Sequence, residues 1–533
     1  KRKTGFTCNT PFESVNNMRR KDWNCTIGSV SFHPWRRGSP FLDISNLNCY
    51  SPVVCPRQTN PQRVNARVSP HEERDISKRI RTEREQGRAA ALQPLARGVA
   101  VFMNEMRLQS IVEELLSSSR AEATEITVSC HSQQSTRWAN NAITQNITKT
   151  DESIEMKAAF GARAGSAATN QFDSDALRQV VEKAEAIAKA SEPDAEYMPP
   201  VMPMSYVEVR SFHPKTAAST PQQRAQVIEA ATALCAAKGL TSAGSFAVNH
   251  KVTTVANCRG LYASHPSTTV RFTCTAMADD SSGWAEAVAN DIREMDFEAI
   301  ATTAVGKALA SRHPVNAEPK RYTVILEPAA VAELLGFMAW SMDARAAHEG
   351  RSAFAGKEGK RVAAPAVCLR SQPDLPGCPV QPFHADGMPV PAVTWVNDGT
   401  LRTLAYSRYW AQKQERPFTG MPTNFILKGK KSASVSEMVS STEEGLLVSR
   451  FWYVRFVDPM KLLLTGMTRD GLFLIRDGKI VSAVKNLRFN ESPLSMLAHV
   501  EEFGHAQRCG EYLPSYVPTL KVREFNFTSG TTF

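Results

Sequence analysis

Residues 322–345 read YTVILEPAAVAELLGFMAWSMDAR, and the character of the chain changes at this stretch. Its first five residues form an apolar run that predicts a strand, and Pro328 then opens a helix predicted to extend to about Arg345. The stretch contains the longest apolar run of the sequence, but Glu327 and Glu333 interrupt it. It therefore indicates a buried or amphipathic helix rather than a membrane span.

Downstream of this stretch, two Asp-Gly turns predict a β-rich region. Asp398-Gly399 and Asp477-Gly478 each lie between short apolar runs. Because both residue types tolerate the positive φ of a tight hairpin turn, the flanking strands are expected to pair antiparallel. We predict a C-terminal β-rich, mainly antiparallel domain at residues 319–533.

Upstream of the stretch, helix and strand patterns are mixed. Apolar spacing and capping residues predict helices at residues 105–119, after Asp173 or Ser174, from the capping box Thr220-Pro-Gln-Gln223, and at 297–311. Alternating strands are predicted at 125–130, 154–160, 252–256 and 268–276. The predicted fold class is α+β with two domains, of which residues 103–318 form an N-terminal mixed helix and sheet domain.

The charge of the chain is concentrated at its start. The 533 residues hold 63 Lys+Arg and 53 Asp+Glu, but residues 1–102 hold 18 and 8 of these and the rest is balanced. This basic segment shows no sustained apolar periodicity, so we expect a disordered leader or a mis-called upstream region, with Met103 as the true start. The alternative is a basic arm that binds nucleic acid.

Signatures of several enzyme classes are absent from the sequence. It has no G-x-G-x-x-G after a strand, no G-x-S-x-G elbow and no complete phosphate loop, which removes the main support for Rossmann, serine hydrolase and nucleotide-binding functions. No secretory signal is visible, and the cysteines beyond Met103 form no C-x-x-C pair. Reduced thiols in the cytoplasm are therefore expected.

Zinc peptidases place two histidines on one face of a helix with a glutamate as base. The sequence has two His-Glu pairs, at His71 and His348, and neither has a second histidine four or five residues later. His348 and Glu349 are weak candidates for a catalytic or metal role. Because Arg345 and Arg351 flank them, an ordinary charged surface patch is the favoured interpretation.

The order of short motifs along residues 103–533 resembles that of the TldD/PmbA family, also called modulators of gyrase. The resemblance is carried by RWANN (137–141), GARAG (161–165), NCRG (257–260), VILEP (324–328), GRS (350–352), DGMP (386–389), NDG (397–399), GLLV (445–448), IRDGKI (475–480) and PTL (518–520). Each motif is unspecific when taken singly, and the order and spacing together support the resemblance. It implies the two-domain fold of that family.

The resemblance also implies where a zinc site would lie. In the metal-binding member, the helix after the strand at 324–326 carries His-Glu-x-x-x-His, and a cysteine near the C-terminus completes the site. Here the matching positions are Gly336, Phe337 and Ser341, which are not zinc ligands of that kind. Cys509 remains, with His505 one helical turn earlier, and a free thiol is the favoured interpretation. The chain thus resembles the PmbA/TldE type, which lacks the helix motif.

That type implies a heterodimeric subunit involved in proteolysis of unstructured peptides or processing of peptide precursors. The expected partners are peptide, bound as an added strand between the domains, and a TldD-like metal-binding subunit or a second copy. No cofactor of its own and no membrane partner are expected. One alternative is an active metallopeptidase with a relocated zinc site, for which the available residues are His348, Glu349, His384, Asp386, His505 and Cys509. The other is nucleic-acid binding through residues 1–102.

Overall fold

The computed structural model describes residues 105–429, 432–510 and 513–531, which belong to one compact unit. The predictions for residues 1–102 lie outside the described residues. The described part of the chain is α+β, as predicted, and contains two β-sheets. Residues 123–289 supply the first sheet and residues 321–530 the second, while the domain boundary at 318/319 stays a prediction.

The first sheet is antiparallel and has the strand order β3-β2-β1-β4-β5-β6. Its strands are β1 (Ala123–Ala139), β2 (Ala142–Phe160), β3 (Arg163–Thr169), β4 (Thr241–Asn257), β5 (Tyr262–Met277) and β6 (Ser282–Ala289). Buried and partly exposed residues alternate along β1 and β5, so one face of the sheet is apolar and the other polar. Several strands are longer than predicted, because polar residues on the second face extend the pairing beyond the apolar runs.

Helices cover the apolar face of the first sheet. They are α1 (Glu105–Ser118), α2 (Ser174–Ala190), α3 (Pro214–Ala217), α4 (Pro221–Ala236) and α5 (Phe297–Ala310). Of the two predicted caps Asp173 and Ser174, Asp173 is the one used, and the caps at Asp296 and Thr220 are confirmed. The Asp173 and Asp296 side chains accept from backbone N–H groups, and Thr220 forms a full capping box with Gln223. Gly283 lets β6 approach α5 closely, since a Cβ there would lie 2.3 Å from the Ala304 oxygen.

The second sheet is larger and mainly antiparallel. Its strands are β7 (Arg321–Leu326), β8 (Cys368–Ser371), β9 (Val393–Asn397), β10 (Thr400–Leu401), β11 (Phe425–Lys428), β12 (Glu444–Asp458), β13 (Leu463–Arg476), β14 (Lys479–Ala483), β15 (Leu487–Glu491), β16 (Val500–Cys509) and β17 (Ser515–Gly530). The parallel pairs are β7 with β12 and β11 with β17. Because β7 pairs with both β12 and β17, the strands β17, β15, β13, β12 and β7 close into a ring.

The Asp-Gly turns lie where the sequence predicts them. Asp398 and Gly399 connect β9 to β10, and Asp477 and Gly478 connect β13 to β14. All four residues have positive φ, between 48° and 74°. This backbone geometry is the one that tight hairpin turns require.

Further helices pack on the second sheet. They are α6 (Pro328–Trp340), α7 (Ala344–His348), α8 (Arg408–Lys413), α9 (Val435–Ser440) and α10 (Pro493–Ala498). The helix predicted to run to Arg345 is interrupted: α6 ends at Trp340, and Asp343 caps α7. Because the Asp343 side chain accepts from the Ala346 N–H, it starts a new helix instead of continuing the old one. None of the described helices combines the length and apolar character needed to cross a membrane.

Polar contacts join the two sheets beside β6. Ser282 donates to Asp470 at 2.8 Å, and Arg450 also pairs with Asp470. Lys307 of α5 forms an ion pair of 2.6 Å with Glu327, the residue that precedes α6. These contacts hold β6 next to β13, and β16 also packs against β6.

Candidate functional site

A cavity of about 380 Å³ lies between the polar face of the first sheet and the end of β16. This volume is in the usual range of small-ligand sites. The cavity is lined by His131, Asn249, Lys251, Ser267, Thr269, Val288, Arg508, Gly510 and Pro514. Its described lining contains three basic side chains and no carboxylate.

Arg508 is the central charged group of the cavity. Its guanidinium donates to the Asn290 side-chain oxygen, and Asn290 is fixed because its NH₂ group donates to the Thr268 carbonyl at 2.6 Å. Burial lowers the pKa of Arg508, so its charged form is disfavoured where it lies. Among the described residues no carboxylate lies within ion-pair distance of it.

The opposite wall of the cavity comes from neighbouring strands of the first sheet. His131 of β1 lies directly across from Lys251 of β4, and Ser267 of β5 lies across from Lys251 on the other side. The His131 ring contacts the Asn249 side-chain oxygen at 3.2 Å, while the Lys251 side chain is exposed. This wall is therefore polar and partly exposed.

The helix α6 carries the positions that match the family's zinc motif, and they are occupied by packing residues. Phe337 is 8 % exposed and forms an aromatic cluster with Trp340 and Phe456, with ring centroids 5.3 and 5.2 Å away. Gly336 is buried, and a Cβ there would meet no atom within 4 Å. Ser341 ends the helix, and its carbonyl accepts from the Ser352 hydroxyl.

Cys509 lies near the start of this helix. Its thiol donates to the Pro328 carbonyl at 3.3 Å and is 2 % exposed. Burial raises the pKa of the Cys509 thiol well above its usual value, with a further contribution from nearby Glu286. Gly336 lies eight residues beyond Pro328, which corresponds to about 12 Å along the helix axis.

These residues do not fit a zinc ion. Of the donors in the family's motif only a cysteine remains, and the Cys509 thiol donates to the Pro328 carbonyl. Across residues 105–429, 432–510 and 513–531, no group of three or more His, Cys, Asp and Glu side chains is placed to hold a metal. The donor set described for the family's zinc site is therefore not assembled here.

Models of the PmbA/TldA metallopeptidase family match the chain in three consecutive parts. Its domain 1 matches residues 125–188, its central domain residues 214–312 and its C-terminal domain residues 319–529. Together the matches cover more than half of the chain. The chain belongs to the TldD/PmbA family.

Solved structures show the same fold. TldE from Thermococcus kodakarensis and a proposed modulator of a DNA gyrase from Thermotoga maritima each superpose with a TM-score of 0.71 and 16 % identity, covering 79 % of this chain and all of theirs. A proposed modulator of DNA gyrase from Bacteroides thetaiotaomicron superposes with a TM-score of 0.69 and 15 % identity, covering 80 % of this chain and 99 % of its own. The likeness to TldE is consistent with the predicted PmbA/TldE type. No curated protein matches this chain.

Within this TldD/PmbA fold, His348 and Glu349 lie apart from Cys509. The Trp410 indole donates to His348 at 3.0 Å, and the Tyr406 hydroxyl lies 3.4 Å from the other ring nitrogen. Glu349 forms ion pairs with Arg345 and Arg351 on the surface, and these pairs lower its pKa. This geometry agrees with the predicted charged patch.

Among the described residues, those that remain as candidates for a relocated zinc site form no group of three donors. His384 packs edge-on against Phe418, and burial lowers its pKa. Asp386 accepts from the backbone N–H of Met388. His505 lies on strand β16 rather than on a helix, so the helical relation to Cys509 is wrong. Its ring contacts the Ser432 hydroxyl at 3.2 Å while Cys509 faces the interior.

Four residues at the cavity were not predicted from the sequence: Arg508, Asn290, Lys251 and His131. Arg508 directly precedes Cys509, but its hydrogen-bond partner Asn290 lies 218 residues earlier, just after β6. The available signal was the alternation of β1 and β5, which places polar residues together on one face. It did not indicate that β16 would lie against that face.

Proposed function

We propose that this chain is a peptide-binding subunit of a TldD/PmbA-type peptidase, without its own zinc site, that acts with a TldD-like metal-binding subunit. The observation that carries this proposal is the contrast between helix α6 and the cavity at Arg508. The positions that match the zinc motif hold Gly336, Phe337 and Ser341, whereas a cavity lined in part by basic and hydroxyl side chains lies beside Cys509, near the start of the same helix. Binding without metal chemistry is the function that these groups support best.

The edge of the first sheet supports an extended peptide as the ligand. β6 is an edge strand that pairs with β5, and Val288 of β6 forms part of the cavity wall. Among the described residues, no further strand pairs with its outer edge, and the Trp284 carbonyl of β6 accepts from the Lys307 side chain at 3.2 Å. A peptide added there would gain main-chain hydrogen bonds whatever its sequence, which suits unstructured substrates.

Further features support the proposed partner and location. A subunit without metal ligands needs a second chain for hydrolysis, so a TldD-like zinc-binding relative is proposed, with a second copy as the alternative partner. The seven described cysteines are all free, which agrees with a reducing compartment such as the cytoplasm. The proposed reaction of the assembly is proteolysis of unstructured peptides or trimming of peptide precursors.

The test uses the full chain, purified alone without chelator. Zinc content, binding of a labelled unstructured peptide and peptidase activity are measured on the same sample, and then again after addition of a zinc-bearing TldD-like subunit. We expect peptide binding without stoichiometric zinc or hydrolysis, and hydrolysis only in the mixture. The mass of the mixed complex in solution distinguishes a heterodimer from a self-associated chain.

A variant at the family cysteine provides the control. Near-stoichiometric zinc that is lost in Cys509→Ala, together with hydrolysis by the chain alone, would overturn the proposal and require an active site in this subunit. Ser515→Ala, at the residue that pairs with Cys509 across the β16 and β17 strands, controls for a general effect of packing.

A further inference from the structure

Arg508 is a cation whose charge the described protein does not balance. It has a single hydrogen-bond partner among the described residues, the neutral amide oxygen of Asn290. A guanidinium has five N–H donors, so most of its donors are left for another ligand. The Arg508 side chain is only partly buried and lines the cavity, so these donors can be reached from its open space.

Nearby acidic groups do not take the role of counter-ion. Glu286 is already paired with Arg271 at 2.8 Å, and Glu294 attracts Arg508 without a direct contact. The buried Cys378 thiol is also close, but burial raises its pKa and keeps it neutral at physiological pH. The positive charge is therefore available to a ligand.

The surroundings of Arg508 suit a small anion attached to a polar chain. Lys251 adds a second positive charge at the cavity wall, and Ser267 and Thr269 add hydroxyl groups. Asn290 holds one side of the guanidinium, so its planar fork is oriented before any ligand arrives. Such a fork binds a carboxylate through two parallel hydrogen bonds.

We propose that the cavity is a carboxylate-binding site, in which Arg508 and Lys251 hold a carboxylate of the peptide that lies along β6. This inference rests on the proposed peptide-binding function. The carboxylate is carried either by the C-terminus of the peptide or by an acidic side chain. Recognition of the C-terminus would place the end of the substrate at Arg508 and fix the register of the peptide on the β6 edge.

Three forms of one short unstructured peptide distinguish these sources. The peptide contains no Asp or Glu and carries an N-terminal fluorophore, and it is compared as the free acid, as the C-terminal amide, and as the amide with one Glu near its end. Fluorescence anisotropy with the full chain gives the affinities. If the C-terminus is bound, the free acid binds about ten-fold tighter than either amide. If a side chain is bound, the Glu-containing amide binds as tightly as the free acid.

Arg508→Gln is expected to remove the preference for the charged peptide. Glutamine keeps a donor for Asn290 while losing the charge, so affinity for the free acid should fall to that for the amide. Arg163→Gln, at an exposed arginine of β3 on the opposite edge of the sheet, is the matched control and should leave all affinities unchanged. Lys251→Gln, at an exposed side chain that does not support the fold, should reduce the preference two- to three-fold, on the order of one surface charge contact.

The outcomes separate this inference from the proposed function. Equal affinities for the three peptides in the unmodified chain would overturn the carboxylate site and leave peptide binding intact. No binding of any peptide would overturn the proposed function itself. Because the peptide comparison and Lys251→Gln do not depend on Arg508→Gln folding, a misfolded variant would not prevent a decision.

Discussion

The helix α6 and the cavity at Arg508 are neighbouring regions that differ in how their side chains are used. On α6, the positions that match metal ligands are buried, apolar or too small to act, and Phe337 packs between Trp340 and Phe456. In the cavity, basic and hydroxyl side chains surround open space. The first region contributes to stability, whereas the second has groups that stability alone does not require.

This difference concerns what the side chains contribute to stability. The aromatic side chain of Phe337 adds buried apolar surface and stabilises the second sheet. Among the described residues, the Arg508 guanidinium donates only to the neutral amide of Asn290. Because no described carboxylate pairs with it, removing this charge from water lowers the stability of the folded chain. Substitutions on α6 should therefore change the free energy of unfolding, whereas substitutions in the cavity should change the affinity for peptide.

The largest effect is expected from Phe337→Ala. Removing this buried ring should lower the free energy of unfolding by about 3 kcal/mol, because its contacts with two aromatic rings are lost and a cavity is left. The midpoint of urea unfolding measures the change. Phe212→Ala, at a phenylalanine that is 37 % exposed, is the matched control. It should lower the free energy of unfolding by less than half as much as Phe337→Ala does. A change in peptide affinity of folded Phe337→Ala would contradict the separation of the two regions.

A second large difference concerns thiol reactivity. Burial raises the pKa of Cys509, so little thiolate forms at pH 8, and the thiol is also shielded, whereas Cys258 is exposed. We expect iodoacetamide to modify Cys258 roughly a hundred-fold faster than Cys509 in the native chain. Peptide mapping after timed labelling measures both rates. Rapid labelling of Cys509 would show that the start of α6 opens and could supply a thiolate to a metal.

A negative charge placed in the cavity should compete with a bound carboxylate. In Thr269→Asp, the new side chain would repel an incoming carboxylate, and affinity for the free-acid peptide is expected to fall on the order of ten-fold. Thr269→Asn has nearly the same size without the charge and serves as control. Anisotropy titrations at low and high salt measure the effect, which salt should weaken. Equal losses of affinity in both variants would show that the shape of the side chain, rather than its charge, weakens binding.

The smallest expected effect is a gain in stability. Gly336→Ala adds a methyl group to a buried helix position with open space, so unfolding free energy should rise by about 1 kcal/mol from helix propensity, plus part of the value of one buried methyl group. Gly306→Ala, at an exposed position of α5 with equal space, should show the propensity gain without the burial gain. Thermal unfolding compares the two. A loss of stability in Gly336→Ala would show that the added methyl group does not fit the space beside this position.

Local sequence patterns predicted much of the fold. The caps at Asp173, Thr220 and Asp296 and the Asp-Gly turns were identified correctly because their physical causes lie within a few residues. The end of α6 was predicted too late, because the apolar periodicity continues past Trp340 while the Asp343 cap restarts the helix. Helix ends that depend on one side chain are difficult to see in a periodic run.

The site could be predicted only in part. The positions Gly336, Phe337, Ser341 and Cys509 were identified through the resemblance, but the structure places Cys509 beside Pro328 rather than at the motif positions. The cavity required the packing of β16 against the first sheet, and no short-range pattern encodes that contact. Arg508 and Asn290 thus meet through tertiary structure, whereas the motif positions lie on a single helix.

The closed ring of strands in the second sheet also has a consequence for the order of folding. Each strand pairing in the first sheet joins segments that follow one another closely, except that β1 pairs with β4, and the sheet is complete once Ala289 has been synthesised. In contrast, Leu326 of β7 pairs with Leu520 of β17, about 200 residues later. Because such distant pairing is slow, we expect the first sheet to form on the ribosome while β7 waits for the end of translation. The cavity, which needs both parts, would then be the last feature of the molecule to appear.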